Sequence, residues 1–384
     1  MTSGSDQPDL LNLFPFLARM EVLPEWEAAA REFLTSGGPV MVLGAPDTGK
    51  STLSRYLLYR AFTAGLPAAL VDLDLGQSHL GPPAALGMGL YPPRLPGDDS
   101  LFPHGLWFIG QTSPVGAILE VSVGCRVLVD DAARQGVRHV VVNTSGLVAG
   151  PGAWRLKKAQ VELLQPSLIL ALEREGELTP LLRSLVGKEA GETAPPKTEN
   201  RKPNTLLRLP VSSRILRRSP EERRRYREER FHRYFQKARR LTFPWARLVW
   251  QGQPWGLGDP LEEAELAHWS RHLGVPALYG ERQDRRLVVL LKEPPPEPHR
   301  LALPAGAEGE AVRWISWSGL HLRLVGLLDA AHRTLALGII LPGPWHPQAL
   351  ALWTPLPPEI VSQTRFIKLG KMKLTLEGRE MLET

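Results

Sequence analysis

The stretch from Val40 to Thr52, Val-Met-Val-Leu-Gly-Ala-Pro-Asp-Thr-Gly-Lys-Ser-Thr, restricts the fold more than any other part of the chain. Gly44 and Gly49 bracket four residues, and Lys50 and Ser51 follow, between an apolar β-like run and a helix-compatible one. This is the G-x-x-x-x-G-K-[ST] loop in its strand-to-helix setting. Such a loop curls its backbone N–H groups around phosphate oxygens, and side chains at the two glycines would obstruct that curl. The following helix presents its positive end to the same anion. Gly44, Ala45, Pro46, Asp47, Thr48, Gly49, Lys50, Ser51 and Thr52 are therefore the expected nucleotide-binding segment. Lys50 is expected to reach the β and γ phosphates, and the Ser51 hydroxyl to ligate a magnesium ion bridging them.

Around this loop the apolar runs alternate with helical patterns. Strands are expected at Val40 to Leu43, Ala68 to Leu73, Leu106 to Ile109, Val137 to Val142, Leu168 to Leu172 and Leu206 to Leu209. Helices are expected at Lys50 to Ala64, Gly116 to Gln135, Leu156 to Leu164 and Leu178 to Leu185, with a Pro/Gly-rich loop from Gly76 to Asp98. Continuous apolar strands separated by helices predict an α/β domain of the P-loop NTPase type, a mostly parallel sheet with helices on both faces. A polar stretch from Gly187 to Pro203 reads as a mobile surface loop. Ser219-Pro220-Glu221-Glu222 then reads as a helix start, with a Ser cap, Pro at the first position and Glu three after the Ser. From about Leu241 short strands separated by Trp, Gly and Pro predict a smaller β-rich C-terminal domain. The expected division is a helical N-terminal segment over 1–38, with one helix at Glu25 to Leu34, a P-loop domain over 39–240 with a basic helix at 219–239, and the β-rich domain over 241–384.

Composition matters at three points. The single cysteine, Cys125, excludes an internal disulfide, and the N-terminus lacks a basic-then-apolar signal pattern. No apolar run approaches bilayer-spanning length, so a soluble cytoplasmic protein without a membrane partner is expected. The net charge of +6 is uneven: Arg214 to Arg240 holds twelve Lys or Arg against four Glu, leaving the rest of the chain at −2. A basic strip on a near-neutral body suits a polyanion, although most such strips are solvated helix faces.

Asp72-Leu73-Asp74-Leu75-Gly76-Gln77 ends the second expected strand, which in an open parallel sheet delivers its last residues beside the phosphate loop. A carboxylate there can hold magnesium through water or accept a proton from an attacking hydroxyl. Gln111-Thr112-Ser113 opens a helix and Asn143-Thr144-Ser145-Gly146 ends a strand where many P-loop proteins place an acid. The neutral Asn143 shifts the acid role toward Asp74. No Asn-Lys-x-Asp guanine reader is present, which counts against a small GTPase.

These segments, with Arg218-Ser219 leading to Arg223, Arg227 and Tyr234-Phe235, and with Val325 to Asp329, Leu337 to Ile340 and Trp353-Thr354-Pro355, resemble the P-loop polynucleotide 5′-hydroxyl kinases. That family includes the RNA kinase subunit of messenger-RNA cleavage factor and ribosomal-RNA-processing kinases. The resemblance implies that Asp74 activates the 5′-hydroxyl and helps Ser51 hold magnesium. It implies that Thr112 and Ser113 form a clasp over the loop and Lys50, and that Arg223 and Arg227 form a lid. Gln77, Asn143 and Trp154 complete the implied substrate-binding set. The family has an aromatic residue after the Asn-Thr-x-Gly run, where it stacks on the terminal base; here that position is Leu147, and Trp154 is the substitute. The eukaryotic cleavage-factor members also carry an N-terminal β domain, for which residues 1–38 leave no room.

The expected function is ATP-dependent transfer of the γ-phosphoryl group to the 5′-hydroxyl end of single-stranded RNA, with DNA as an alternative acceptor and GTP as an alternative donor. Two rivals come from other classes: a nucleotide-bound RNA-processing scaffold without transferase activity, and a kinase of a small nucleoside or metabolite. The sequence names no protein partner.

Overall fold

The computed structural model describes residues 20–91, 103–186, 205–251, 258–284, 286–295, 311–346 and 348–381. The chain divides into two compact units, Met1–Arg230 and Phe231–Thr384.

The first unit is built on a seven-stranded sheet. Its strands are β1 (Gly38–Gly44), β2 (Ala68–Asp72), β3 (Ala85–Tyr91), β4 (Gly105–Phe108), β5 (His139–Asn143), β6 (Leu168–Glu173) and β7 (Thr205–Pro210), in spatial order β4-β3-β2-β5-β1-β6-β7. The pairs β2–β5, β5–β1, β1–β6 and β6–β7 are parallel, as the apolar-run pattern predicts. Alternation along the central strands feeds both faces. Val40 and Val42 of β1 enter a core with Trp26, Phe33 and Leu57, from α1 (Pro24–Ser36) and α2 (Lys50–Thr63). Met41 and Leu43 point the other way, against Ile169 and Leu181. The face under Val71 and Val142 is covered by α3 (Ile118–Arg134) and α4 (Pro151–Leu164). Helix α5 (Thr179–Val186) follows β6. Among the described residues no helix is long and apolar enough to cross a membrane.

Two expectations need correction. The segment from Gly76 to Asp98, read as loop, contains β3, which pairs antiparallel with β2 through Ala68↔Tyr91 to Asp72↔Gly87. Its glycines hid it: Gly87 and Gly89 leave room for Leu80 to lie across the strand. The basic helix α6 (Pro220–Phe235) stops before 239, because Arg239–Pro244 leaves it as β8, paired with Ala349–Thr354. The polar stretch at 187–203 lies outside the described residues.

The second unit holds a mainly antiparallel sheet of β8, β9 (Val249–Gln251), β14 (Arg323–Leu328), β15 (Thr334–Ile340), β16 (Ala349–Thr354), β17 (Phe366–Leu374) and β18 (Glu380–Met381). A four-stranded sheet of β10 (Asp259–Pro260), β11 (Ala277–Gln283), β12 (Arg286–Leu291) and β13 (Ala311–Ser316) carries α7 (Glu263–Leu273). Its tryptophans mostly pack on one another: Trp245 lies 5.6 Å from Trp250 and 4.8 Å from Trp345, and Trp317 lies 5.2 Å from Trp345. They are core partners, the ordinary use of aromatics at strand spacing.

Candidate active site

The phosphate loop runs from the end of β1 into α2. A Cβ at Gly44 would lie 2.4 Å from the Thr48 hydroxyl and 2.9 Å from the Leu172 carbonyl, so only glycine closes the turn. Gly49 enters the helix at φ 88°. Lys50 is buried at 6% exposure, and its Nζ donates to the Ala45 carbonyl at 2.7 Å. Burial lowers its pKa, an effect partly offset by Asp74, Asp47 and Asp72. A lysine held this close to the loop, in low dielectric, interacts strongly with any anion seated in the loop.

Strand register brings two further segments to Ser51. Val42 pairs with Asn143, and Asn143 with Asp72, so three strand ends stand side by side. Asn143 Nδ2 donates to Ser51 Oγ at 3.2 Å and to Asp72 Oδ1 at 2.9 Å. Asp72, fully buried, also accepts from the backbone N–H of Asp74 and His79. Burial, and after it the charge of Asp74, push the Asp72 carboxyl up to about 6. Asn143 Oδ1 is buried with no partner. A buried acceptor left open beside a serine hydroxyl is chemistry that suits a hydrated magnesium ion.

Asp74 sits one turn further out. Its Oδ1 accepts from the N–H groups of Gly76 and Gln77 at 3.1 and 2.9 Å, which fixes the carboxylate while Oδ2 stays unpaired. Both aspartates thus bond backbone, and they divide into a buried brace and an open carboxylate. Asp74 faces a cavity of about 830 Å³ lined also by Asp47, Lys50, Thr112, Ser113, Leu147 and the strap Arg214–Arg218. Thr112 and Ser113 stand on a turn fastened by Gln111, whose Nε2 donates to the carbonyls of Ser113 and Val115.

The basic segment closes over this cavity through a loop residue. Asp47 Oδ2 accepts from the Arg218 N–H at 3.1 Å and from Arg223 Nη2 at 2.5 Å, while Arg174 Nη2 donates to the Asp47 carbonyl at 2.5 Å. Burial raises the Asp47 pKa, but Arg223 and Arg218 outweigh it and hold the carboxyl below the usual range. Gln77 joins the same strap: Nε2 donates to the Arg223 carbonyl and Oε1 accepts from Arg218 Nη1. Further along α6, Tyr226 donates to the Ser78 carbonyl and Arg230 to that of Gly81.

The structure therefore brings Lys50, Ser51, Asp74, Gln77, Thr112, Ser113 and Arg223 around one cavity. Asn143 stands behind Ser51, and neither Arg227 nor Trp154, 42% exposed on α4, belongs to the cavity lining. Sequence reasoning gave no role to Arg214, Arg217 and Arg218, although the charge count pointed at their segment. It also passed over Lys157, whose signal was its place on the buried face of α4 with Ala153, Val161 and Leu164.

The chain resembles known proteins along most of its length. The polyribonucleotide 5′-hydroxyl-kinase of Pyrococcus horikoshii is 28% identical over 363 residues, covering 94% of this chain and 93% of that protein. That of Methanocaldococcus jannaschii is 25% identical over 342 residues, covering 89% and 88%. The solved structure of wild-type Clp1p bound to Pcf11p matches with a TM-score of 0.57 at 14% identity, covering 91% of this chain and 77% of that one, which shows a shared fold. The family model described as mRNA cleavage and polyadenylation factor CLP1 P-loop matches residues 44–237, and the chain, with the loop, sheet and strap just described, belongs to that family.

Proposed function

We propose that this protein is an ATP-dependent polynucleotide 5′-hydroxyl kinase that transfers the γ-phosphoryl group to the 5′-hydroxyl of RNA. One observation carries the reading: the carboxylate residue Asp74 lines the same cavity as the phosphate loop, Lys50 and an arginine strap. A nucleotide-dependent switch needs the loop alone; phosphoryl transfer needs a donor cradle, positive charge around the moving group and a proton acceptor. Kinase names among relatives that align over most of the chain support it as well.

In this reading the loop amides and Lys50 hold the donor phosphates, and Ser51, with Asp74, would hold a magnesium ion. The ion, when bound, would neutralise negative charge on the donor phosphates. Asp74 takes the proton of the attacking hydroxyl. Arg218 and Arg223 close over the phosphates, and Thr112 and Ser113 cover the loop from the other side. Asn143, braced by Asp72, keeps the Ser51 hydroxyl aimed outward. Arg227, outside the cavity lining, serves the acceptor strand on the helix surface. Trp154, exposed on α4, stacks a base of the acceptor in place of the aromatic that Leu147 does not supply.

The test is direct. The protein is incubated with a 5′-hydroxyl oligonucleotide and γ-labelled ATP, with RNA, DNA and a mononucleoside as parallel acceptors and GTP as a parallel donor. Label on the RNA end is the expected result. Folded protein that leaves every end unlabelled, or that labels a mononucleoside equally well, overturns the polynucleotide-kinase reading.

A further inference from the structure

One stretch of the cavity wall is the strand-end loop Ser145–Leu147. It rests on the phosphate loop: a Cβ at Gly146 would come within 2.9 Å of Pro46. Thr144 ties the same loop to β1, its N–H and hydroxyl both donating to the Val42 carbonyl. From behind, the wall is held by a lysine. Lys157, on the buried face of α4, has 0% exposure, and its Nζ donates to the Ser145 carbonyl at 2.9 Å and to Ser145 Oγ at 3.3 Å. No carboxylate is bonded to it. One turn on, Gln160 is buried with neither side-chain nitrogen nor oxygen partnered, and so is the Ser122 hydroxyl of the helix alongside. A buried ammonium with only neutral partners carries a desolvation penalty that no counter-charge offsets. The chain keeps a charge here, a few side chains from the phosphate loop.

We propose that Lys157 is a positioning residue that fixes the Ser145–Leu147 wall from inside, and that polyphosphate in the cavity secures it in the charged ammonium form. The charged and titratable groups that face it are Lys50 at the start of α2, Asp74 after β2 and Cys125 on α3. Burial first, then the charge of Lys50, bring the Lys157 pKa down to about 7, with Asp74 and Cys125 acting in the opposite sense. Lys157 is thus divided between its two forms near neutral pH, and a nucleotide carrying several negative charges shifts it toward the ammonium. The sign follows: nucleotide binding above pH 7 takes up a proton, and the site weakens as pH rises. The inference rests on the reading that the cavity takes a nucleoside triphosphate.

The experiment is calorimetric titration of the full chain with a non-hydrolysable ATP analogue and magnesium at pH 8, in buffers of differing ionisation enthalpy. Wild type and the variants Lys157→Met and Lys157→Gln are compared, and Kd is followed from pH 7 to 9. Wild type is expected to take up on the order of half a proton more than either variant at pH 8, and its Kd to rise by up to about tenfold per pH unit beyond theirs. Lys50 is present in all three proteins, so the difference reports the Lys157 charge together with its coupling to Lys50. Lys157→Gln keeps a donor to Ser145 without a titrating group; should Lys157→Met fail to fold, this variant decides. Equal proton uptake and parallel Kd profiles overturn the inference and leave the kinase reading standing. Absence of nucleotide binding by folded wild type overturns both.

Discussion

At the scale of single residues, the site separates charges that do different work although they are near neighbours in sequence. Asp72 is wholly buried and spends its oxygens on Asn143 and on backbone N–H groups, so it braces. Asp74, two residues on, lines the cavity and takes its backbone bonds, from Gly76 and Gln77, on one oxygen alone. Asp74→Asn is expected to lower kcat by about 10²–10⁴-fold, the usual range for losing a general base. Lys50→Ala is expected to cost at least about a hundredfold, by removing positive charge where the transferring group gains negative charge. Single-turnover transfer to a labelled RNA end, alongside circular dichroism to establish folding, measures both. Activity surviving in Asp74→Asn removes it as the base.

At the scale of elements, the strap and its anchor act as a unit. Asp47 gathers Arg218, Arg223 and Arg174 onto the phosphate loop. Arg223 is about a third exposed, so its ion pair with Asp47 is worth far less than a buried one. The strap is therefore held by the sum of several contacts, and Asp47→Ala is expected to loosen it without unfolding the sheet. Trypsin cleavage at Arg214, Arg217 and Arg218 should then be about tenfold faster, equivalent to about 1.4 kcal/mol of local stability. Unchanged cleavage would show that Asp47 does not anchor the strap. A second case concerns α3. Gly124 lies mid-helix, where replacement by Ala normally stabilises by about 1 kcal/mol. Here the added Cβ would meet the Trp107 ring at 2.2 Å. Steric overlap of that size outweighs the propensity gain, so Gly124→Ala is expected to lower stability by about 1–3 kcal/mol in urea unfolding.

At the scale of the whole molecule, charge placement matters more than charge total. All of the positive excess sits in 27 residues, Arg214 to Arg240, which carry +8 while the chain as a whole carries only +6. Binding of a single-stranded nucleic acid is therefore expected to weaken steeply with salt, by the release of counterions. Arg214 and Arg217 line the cavity on the strap. Replacing either with Ala should reduce the slope of log K against log salt by about 0.7, similarly for RNA and DNA. An unchanged slope would show that these side chains contact no phosphate.

What the chain states locally is the part that needs no distant partner. The phosphate loop follows from the steric needs of Gly44 and the helix start after Gly49, and the parallel sheet follows from apolar runs that feed both faces. The resemblance to polynucleotide kinases was legible for the same reason, being carried by short motifs at strand ends. Strand β3 was not legible, because its glycines matter only once Leu80 lies across them. The two aspartates, both strand-end acids in sequence, became a brace and an open carboxylate only when β5 placed Asn143 between Asp72 and Ser51. Lys157 reads as an ordinary helix charge until the fold buries it under Ser145. Sequence fixes conformation where the cause lies within a few residues; burial and partnership are set by residues far apart in the chain, and those the tertiary structure alone decided.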